Sequence, residues 1–121
     1  MNVVDSSGWL EFFADGPNAA FFAPAIHKTG ELVVPTLSLY EVFKRVLQQR
    51  DESQALQAVA LMEQGAVVEL NSTLALAAAK LSSDLHLPMA DSIMLATARA
   101  HDATFWTQDA DFDGMEGVRY V

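Results

Sequence analysis

Short apolar runs and longer amphipathic patterns alternate along the chain, and the two patterns predict different elements. The apolar runs predict β-strands at residues 2–5, 32–34, 66–70, 104–107 and 118–121. Between them, apolar residues at helical spacing predict helices at residues 6–15, 36–49, 51–64, 72–86 and 88–101. A further short helix is expected from residue 18, and Pro24 should limit its length.

The helix predicted at residues 36–49 has the most regular pattern. Its apolar side chains recur at intervals of three and four residues, which defines one core-facing side: Leu39, Val42, Phe43, Val46 and Leu47. Strands that alternate with such helices are typical of a mainly parallel α/β sheet with helices on both faces. We therefore expect a four- to five-stranded sheet in a single domain that spans residues 1–121.

The composition is that of a globular chain. Of its 121 residues, 51% are hydrophobic, which is enough for a sizeable core. There is no cysteine, so disulfides and thiolate chemistry are excluded, and a reducing compartment fits. The N-terminus has no basic segment before an apolar one, and the longest apolar stretch is too short for a bilayer. We expect a cytoplasmic protein that does not enter a membrane.

The charge balance is strongly acidic. There are 16 acidic residues against 7 basic ones, and the net charge is −9. This balance counts against general nucleic-acid binding, which requires a basic surface. Three explanations of the acidic excess remain open: solubility, a site for divalent cations, and a basic protein partner.

Four acidic residues stand where catalytic carboxylates are expected in an α/β sheet. Asp5 and Asp109 each follow a predicted strand, and ligands of such sheets bind beyond the carboxyl ends of the strands. Glu41 and Asp91 lie on predicted helices that can lean over the same edge. Carboxylates about 4 Å apart repel each other by roughly 4 kcal/mol at an effective dielectric constant of about 20. A chain that gathers them usually binds a cation, and hard oxygen ligands select Mg²⁺ or Mn²⁺.

Each of these acids, taken singly, also has a structural explanation. Asp5 can cap the first helix, and Asp91 gains from the helix dipole if it lies in a first turn. Glu41 can form an ion pair with the basic residues one turn later, and Asp109 can begin a turn. Convergence of the four carboxylates is therefore a hypothesis at this point.

Four segments of the chain match a known family. They are Val3-Val4-Asp5-Ser6-Ser7, Tyr40-Glu41-Val42, Leu87-Pro88-Met89-Ala90-Asp91-Ser92-Ile93-Met94-Leu95-Ala96-Thr97-Ala98 and Trp106-Thr107-Gln108-Asp109-Ala110-Asp111-Phe112. Through these segments the chain resembles the PIN-domain ribonucleases over nearly its whole length, and most closely the small VapC-type toxins of prokaryotic toxin–antitoxin pairs. It departs from the family pattern at Tyr40, where a small polar residue is common, and at Gln108, where a basic residue is common.

The resemblance implies a metal-dependent endoribonuclease toxin. Its carboxylates would hold one or two Mg²⁺ or Mn²⁺ ions, and RNA phosphodiester bonds would be hydrolysed by a water that the metal activates. The implied catalytic and metal-binding residues are Asp5, Glu41, Asp91 and Asp109. Ser6 and Thr107 would orient a ligand water or a phosphate through their hydroxyls. Asp111 would be an outer metal contact or, as we favour, a turn residue.

The resemblance also implies partners. RNA phosphates would be contacted by Lys44, Arg45 and Arg99, whereas Arg50 is expected to be an ordinary surface charge. A VapB-type antitoxin would bind a hydrophobic groove formed by aromatic residues of the first two helices, and its basic tail would reach the acidic site. A homodimer would bring two sparse basic patches together along one groove.

Two other functions remain open from the sequence. One is a Mg²⁺-dependent phosphatase-like α/β domain, although Asp5 is followed by two serines and not by the second aspartate that such a site can use. The other is a non-catalytic interaction module that keeps the PIN fold, and the presence of all four acids argues against it.

Overall fold

A computed structural model describes all residues from Met1 to Val121. Its strands are β1 (Asn2–Val4), β2 (Val33–Pro35), β3 (Ala66–Val68), β4 (Thr104–Thr107) and β5 (Val118–Tyr120). Its α-helices are α1 (Ser6–Phe13), α2 (Ala19–His27), α3 (Thr36–Gln49), α4 (Glu52–Met62), α5 (Ser72–Leu85) and α6 (Met89–Ala100). Two short 3₁₀ helices lie at Thr29–Glu31 and Ala110–Phe112. None of the helices combines the length and the apolar character needed to cross a membrane.

All strand pairs are parallel, which confirms the predicted α/β class. β1 pairs with β4 and β4 pairs with β5 to form one sheet, while β2 pairs with β3 in another. A single bridge between Asn2 and Leu32 joins the two sheets. The strands therefore form a three-stranded and a two-stranded sheet, and not one continuous sheet. β1 and β2 thus meet at one bridge, whereas each of them forms a three-residue ladder with its other neighbour.

Helices cover both faces of the strands because successive strand residues point to opposite sides. Val4 and Val34 belong to a core cluster that also contains buried residues of α1, α2, α3 and α4. Val3 and Val33, one position earlier in each strand, belong to a second cluster built mainly with α6. The carboxyl ends of β1 and β4 thus lie between two helical layers.

Two local predictions are wrong. Pro24 does not end the second helix, because α2 continues to His27 with Pro24 exposed inside it. The apolar face of α2 is buried in the first core cluster, and this burial offsets the hydrogen bond that proline cannot donate. Leu47 was predicted on the core face of α3, but it is 43% exposed, because the last residues of α3 extend beyond the core.

Candidate metal centre

β1 delivers Asp5 to the carboxyl edge of the three-stranded sheet. The backbone N–H of Asp5 donates to the carbonyl of Trp106 at 2.9 Å, which places the residue beside β4. Its Oδ2 atom accepts hydrogen bonds from the Thr107 hydroxyl at 2.8 Å and from the Ser7 hydroxyl at 3.1 Å. Because Asp5 is only 6% exposed, these contacts hold its carboxylate in one place.

The loop after β4 carries Asp109. The backbone N–H of Asp109 donates to Thr107 Oγ1 at 2.9 Å, so one hydroxyl group contacts both Asp5 and Asp109. Asp109 Oδ1 accepts a hydrogen bond from the backbone N–H of Asp111 at 3.0 Å and caps the second 3₁₀ helix. Asp111 thus joins this network through its main chain, as a turn residue does, and its side chain is exposed.

α6 begins at Met89 and brings Asp91, in its first turn, to the same edge. One carboxylate oxygen from each of Asp5, Asp91 and Asp109 lies within 4.8 Å of the other two. Residues far apart in sequence meet here because β1 and β4 are neighbours and because α6 precedes β4 in the chain. We refer to these three residues as the carboxylate cluster.

The members of the carboxylate cluster oppose each other's ionisation. Burial raises the pKa of Asp5, and the charge of Asp109 adds to this effect, although hydrogen bonds from Thr107 and Ser7 act against it. Burial and then the charges of Asp5 and Asp109 raise the pKa of Asp91 to about 6. No basic side chain forms an ion pair with the cluster, so a bound cation would relieve the repulsion.

Glu41 lies beside the cluster and not within it. It is on α3, and its Oε1 atom accepts a hydrogen bond from the Ser6 hydroxyl at 2.8 Å. After burial and the charges of Asp5 and Asp109, the charges of Asp111 and then Glu41 also raise the pKa of Asp91, so the carboxylate of Glu41 is close enough to act on the cluster. The hydroxyls of Ser6 and Thr107 both donate to carboxylates, and they therefore orient the acids themselves.

The donor atoms of the cluster fit a hard divalent cation. They are carboxylate oxygens, the ligands that Mg²⁺ and Mn²⁺ prefer, and the cluster includes no histidine nitrogen or cysteine sulfur. Asp5, Asp91 and Asp109 can hold such an ion together, since they come from three separate elements that the fold fixes in place.

Comparison with known proteins gives the family. The family model of the PIN domain matches residues 3–118, which is nearly the whole chain. The chain belongs to the PIN domain family. None of the curated proteins compared with it gives a match.

Solved structures similar to this PIN domain include toxin–antitoxin proteins. A chain of a toxin–antitoxin complex from Klebsiella pneumoniae is 20% identical, with a TM-score of 0.83 over 98% of this chain and 96% of that one. VapC20 from Mycobacterium tuberculosis, described as a sarcin–ricin loop cleaving toxin, is 17% identical, with a TM-score of 0.78 over 96% and 95%. A chain of VapBC2 from Rickettsia felis, bound to a promoter DNA fragment, is 11% identical, with a TM-score of 0.75 over 99% and 96%. At these identities the similarity establishes the fold.

Few basic residues of the PIN domain lie near the carboxylate cluster. Lys44 and Arg45 are one turn beyond Glu41 on α3. Together with Tyr40 and Gln48, these residues border a shallow depression of about 220 Å³. The depression is the part of the surface where a polyanion beside the acids would meet positive charge.

Two other basic residues are not brought to the cluster. Arg99 is in the last turn of α6, eight residues after Asp91, which is about 12 Å along a helix axis. Arg50 follows α3 and borders a different cleft. The position of Arg99 therefore does not favour the phosphate contact expected for it.

Gln108 has a structural role that sequence reasoning did not identify. Its side chain accepts a hydrogen bond from Asn18 Nδ2 at 3.0 Å and donates one to the carbonyl of Ser7 at 3.4 Å. It therefore ties the start of α1 and the α1–α2 turn to the loop that carries Asp109. In the sequence, only its position between Thr107 and Asp109 could have indicated that Gln108 helps to hold this loop in place.

A second cleft, of about 610 Å³, lies between α1, α3 and α4. Its wall is formed by Leu10, Phe13, Ala14, Val46, Ala58 and Leu61, and its rim by Gln49, Arg50, Gln54 and Gln57. We call it the apolar cleft. Of the aromatic residues in the first two helices, only Phe13 lines it, whereas Trp9 and Phe22 are buried in the core.

Proposed function

We propose that this PIN domain is a metal-dependent endoribonuclease toxin of the VapC type. The observation that carries the proposal is the carboxylate cluster, in which acids from three elements meet within 4.8 Å without a basic partner. Toxin–antitoxin proteins with the same fold, one of them described as cleaving the sarcin–ricin loop, support the proposal.

In this proposal Asp5, Asp91 and Asp109 hold Mg²⁺ or Mn²⁺, and Glu41 is the fourth catalytic acid beside them. When bound, such an ion stabilises negative charge on a phosphoryl group and lowers the pKa of water, which is the chemistry that phosphodiester hydrolysis requires. Without a cation the carboxylates would repel RNA phosphates, so binding of metal and binding of substrate are coupled.

Other side chains position the acids and the substrate. Thr107 contacts the side chain of Asp5 and the backbone of Asp109, and it thereby keeps the two strand-end acids at a fixed separation. Ser6 holds the carboxylate of Glu41 in the same way. The cations of Lys44 and Arg45 contact the phosphates next to the scissile bond.

We also propose that a VapB-type antitoxin occupies the apolar cleft. An apolar wall formed by three helices fits one face of an amphipathic helix. Structures with this fold include toxin–antitoxin complexes, which supports a protein partner. A basic tail on the partner would be attracted to a chain whose net charge is −9. A homodimer located in the cytoplasm completes the proposal.

The test is cleavage of a structured RNA pool by the purified, partner-free chain in Mg²⁺, in Mn²⁺ and in EDTA. Wild type is compared with Asp5→Asn and with Asp84→Asn, which removes an exposed carboxylate on α5. We expect cleavage that requires metal, that is lost in Asp5→Asn and that is retained in Asp84→Asn. Circular dichroism establishes that all three proteins are folded.

Calorimetric titration with Mn²⁺ separates the remaining alternatives. A folded wild-type chain that neither binds metal nor cleaves RNA would be a non-catalytic interaction module. Metal binding without RNA cleavage would retain the metal site and reject RNA as its substrate.

A further inference from the structure

Tyr40 is a large aromatic side chain left in solvent beside the proposed catalytic acids. It lies on α3 directly before Glu41 and is 61% exposed. Its ring belongs to neither of the two larger core clusters. Single exposed apolar residues are common, so exposure alone does not indicate a function. The residues around the ring are the stronger evidence.

Those surroundings are polar and basic. Helical spacing places Lys44 one turn above Tyr40 and Arg45 one turn above Glu41, in two adjacent rows. The Lys44 ammonium lies over one face of the Tyr40 ring, 5.7 Å from its centroid, in a cation–π contact, so a base would stack on the other face. With Gln48, these residues line the shallow depression of about 220 Å³, which includes Glu41.

The charge of this surface differs from that of the whole chain. Lys44 and Arg45 are two of only 7 basic residues in a protein with a net charge of −9. Neither forms an ion pair with an acidic side chain, so both can contact phosphates. A solvent-exposed aromatic ring next to cations without an acidic partner is the combination with which proteins bind single-stranded nucleic acids, since bases stack on the ring while the backbone follows the positive charge.

We propose that Tyr40 is a stacking platform for one unpaired RNA base, with Lys44 and Arg45 on the adjoining phosphates. Duplex RNA cannot use this platform, because its bases are stacked on each other and inaccessible from the side. The surface therefore selects single-stranded or looped RNA. This inference rests on the proposed function for the identity of its ligand, but it is tested by binding and not by cleavage.

The experiment measures the affinity for a labelled single-stranded RNA and for its duplex by fluorescence anisotropy, in Mg²⁺ and with the integrity of the RNA checked. Tyr40→Phe keeps the ring, whereas Tyr40→Leu keeps apolar bulk without one. Leu76→Ala is the control, because Leu76 is 74% exposed on α5, away from the depression. We expect Tyr40→Leu to weaken single-strand binding about tenfold, and the other two variants to change it less than about twofold.

An abasic nucleotide moved along the single-stranded RNA gives a signature of stacking. In wild type, one abasic position should weaken binding more than the others, since it removes the stacked base. In Tyr40→Leu the same abasic position should not weaken binding further, because the stacking contact between the ring and the base is already lost.

Three results would overturn the inference: unchanged single-strand affinity in Tyr40→Leu, an equal loss of affinity for the duplex, and no RNA binding by wild type. Binding that depends on Tyr40 in the absence of cleavage would uphold the inference and reject the nuclease function. If the protein cleaves RNA but Tyr40→Leu leaves its RNA affinity unchanged, the nuclease function would be upheld and the inference rejected.

Discussion

The carboxylate cluster and the apolar cleft lie beside the same two helices, α1 and α3, but are built in opposite ways. α1 begins beside the cluster, and its later turns line the cleft with Leu10 and Phe13. α3 likewise presents Glu41 beside the cluster and Val46 in the cleft. The cluster consists of charged groups, two of which are held by hydrogen bonds, whereas the wall of the cleft consists of apolar side chains that remain partly open to solvent.

Each region lowers the stability of the isolated chain, one through buried like charges and the other through apolar surface that is not covered. In the cluster, burial and mutual repulsion raise the pKa values of Asp5 and Asp91. In the cleft, apolar surface stays in contact with water. A cation would relieve the first effect and an apolar partner the second, so the two ligands should stabilise the protein independently.

The largest effect is expected for RNA cleavage by Asp91→Asn. This change keeps the shape of the side chain and removes one of the three converging charges, so activity should fall at least about 100-fold. Asp84→Asn is the matched control, because Asp84 is exposed on α5 and pairs with Lys80, away from the cluster, and activity should stay within about twofold. Equal losses in both variants would mean that overall acidity, and not convergence, supports the reaction.

A divalent cation should raise the free energy of unfolding. At a Mn²⁺ concentration about 100 times the dissociation constant, the gain is about 2.7 kcal/mol. The gain should shrink below pH 6, because burial and neighbouring carboxylates raise the pKa of Asp91 to about 6 and protons then compete with the metal. Thermal denaturation with and without Mn²⁺, on both sides of this pH, measures the effect.

A charge in the apolar cleft tests whether the two regions are independent. Leu61→Glu alters the wall of the cleft on α4, an element that contributes no acid to the cluster. The gain from Mn²⁺ should match that of wild type within about 0.5 kcal/mol. A gain abolished by Leu61→Glu would show that the cluster and the cleft are coupled through α1 and α3, which lie beside both.

Gly8 tests how tightly α1, the helix that lies beside both regions, packs against the core. A Cβ atom there would lie 2.6 Å from the ring of Phe22 and 2.9 Å from Cγ1 of Val4. Alanine favours a helix over glycine by up to about 1 kcal/mol, but overpacking costs up to about 3 kcal/mol, so Gly8→Ala should destabilise by about 1–2 kcal/mol. Urea denaturation measures the difference.

Gly30→Ala is the matched control, since a Cβ atom at Gly30 meets no atom within 4 Å. Its free energy of unfolding should stay within about 0.5 kcal/mol of wild type. If Gly8→Ala changed the free energy of unfolding as little as Gly30→Ala, α1 would be able to shift. A rigid α1 would then not fix the positions of the two regions relative to each other.

Sequence patterns anticipated the geometry of the cluster better than that of the cleft. Asp5 and Asp109 follow predicted strands, and parallel strands end at one edge, so their proximity could be inferred. The cleft depends on how three helices pack, and no local pattern encodes that arrangement. The same limit explains the helix that continues through Pro24 and the division into two sheets, because both depend on contacts between distant segments.

A small effect is expected on the free energy of unfolding of the metal-free chain. Burial and neighbouring charges raise the pKa of Asp91 from 3.8 to about 6, so its charged form is disfavoured in the folded state. The side chain is protonated in both states below pH 3.8 and ionised in both above about pH 6. The free energy of unfolding therefore falls as pH rises between these values.

Asp91→Asn removes this penalty and should stabilise the metal-free protein at neutral pH. A shift of about two units corresponds to about 3 kcal/mol, but Asp91 is only half-buried, and solvent screening reduces the expected gain to about 1 kcal/mol. Urea denaturation in EDTA should show this gain at pH 7 and almost none near pH 4. A variant less stable than wild type at pH 7 would mean that the carboxylate of Asp91 stabilises the fold, and that the cluster does not carry the repulsion which distinguishes it from the cleft.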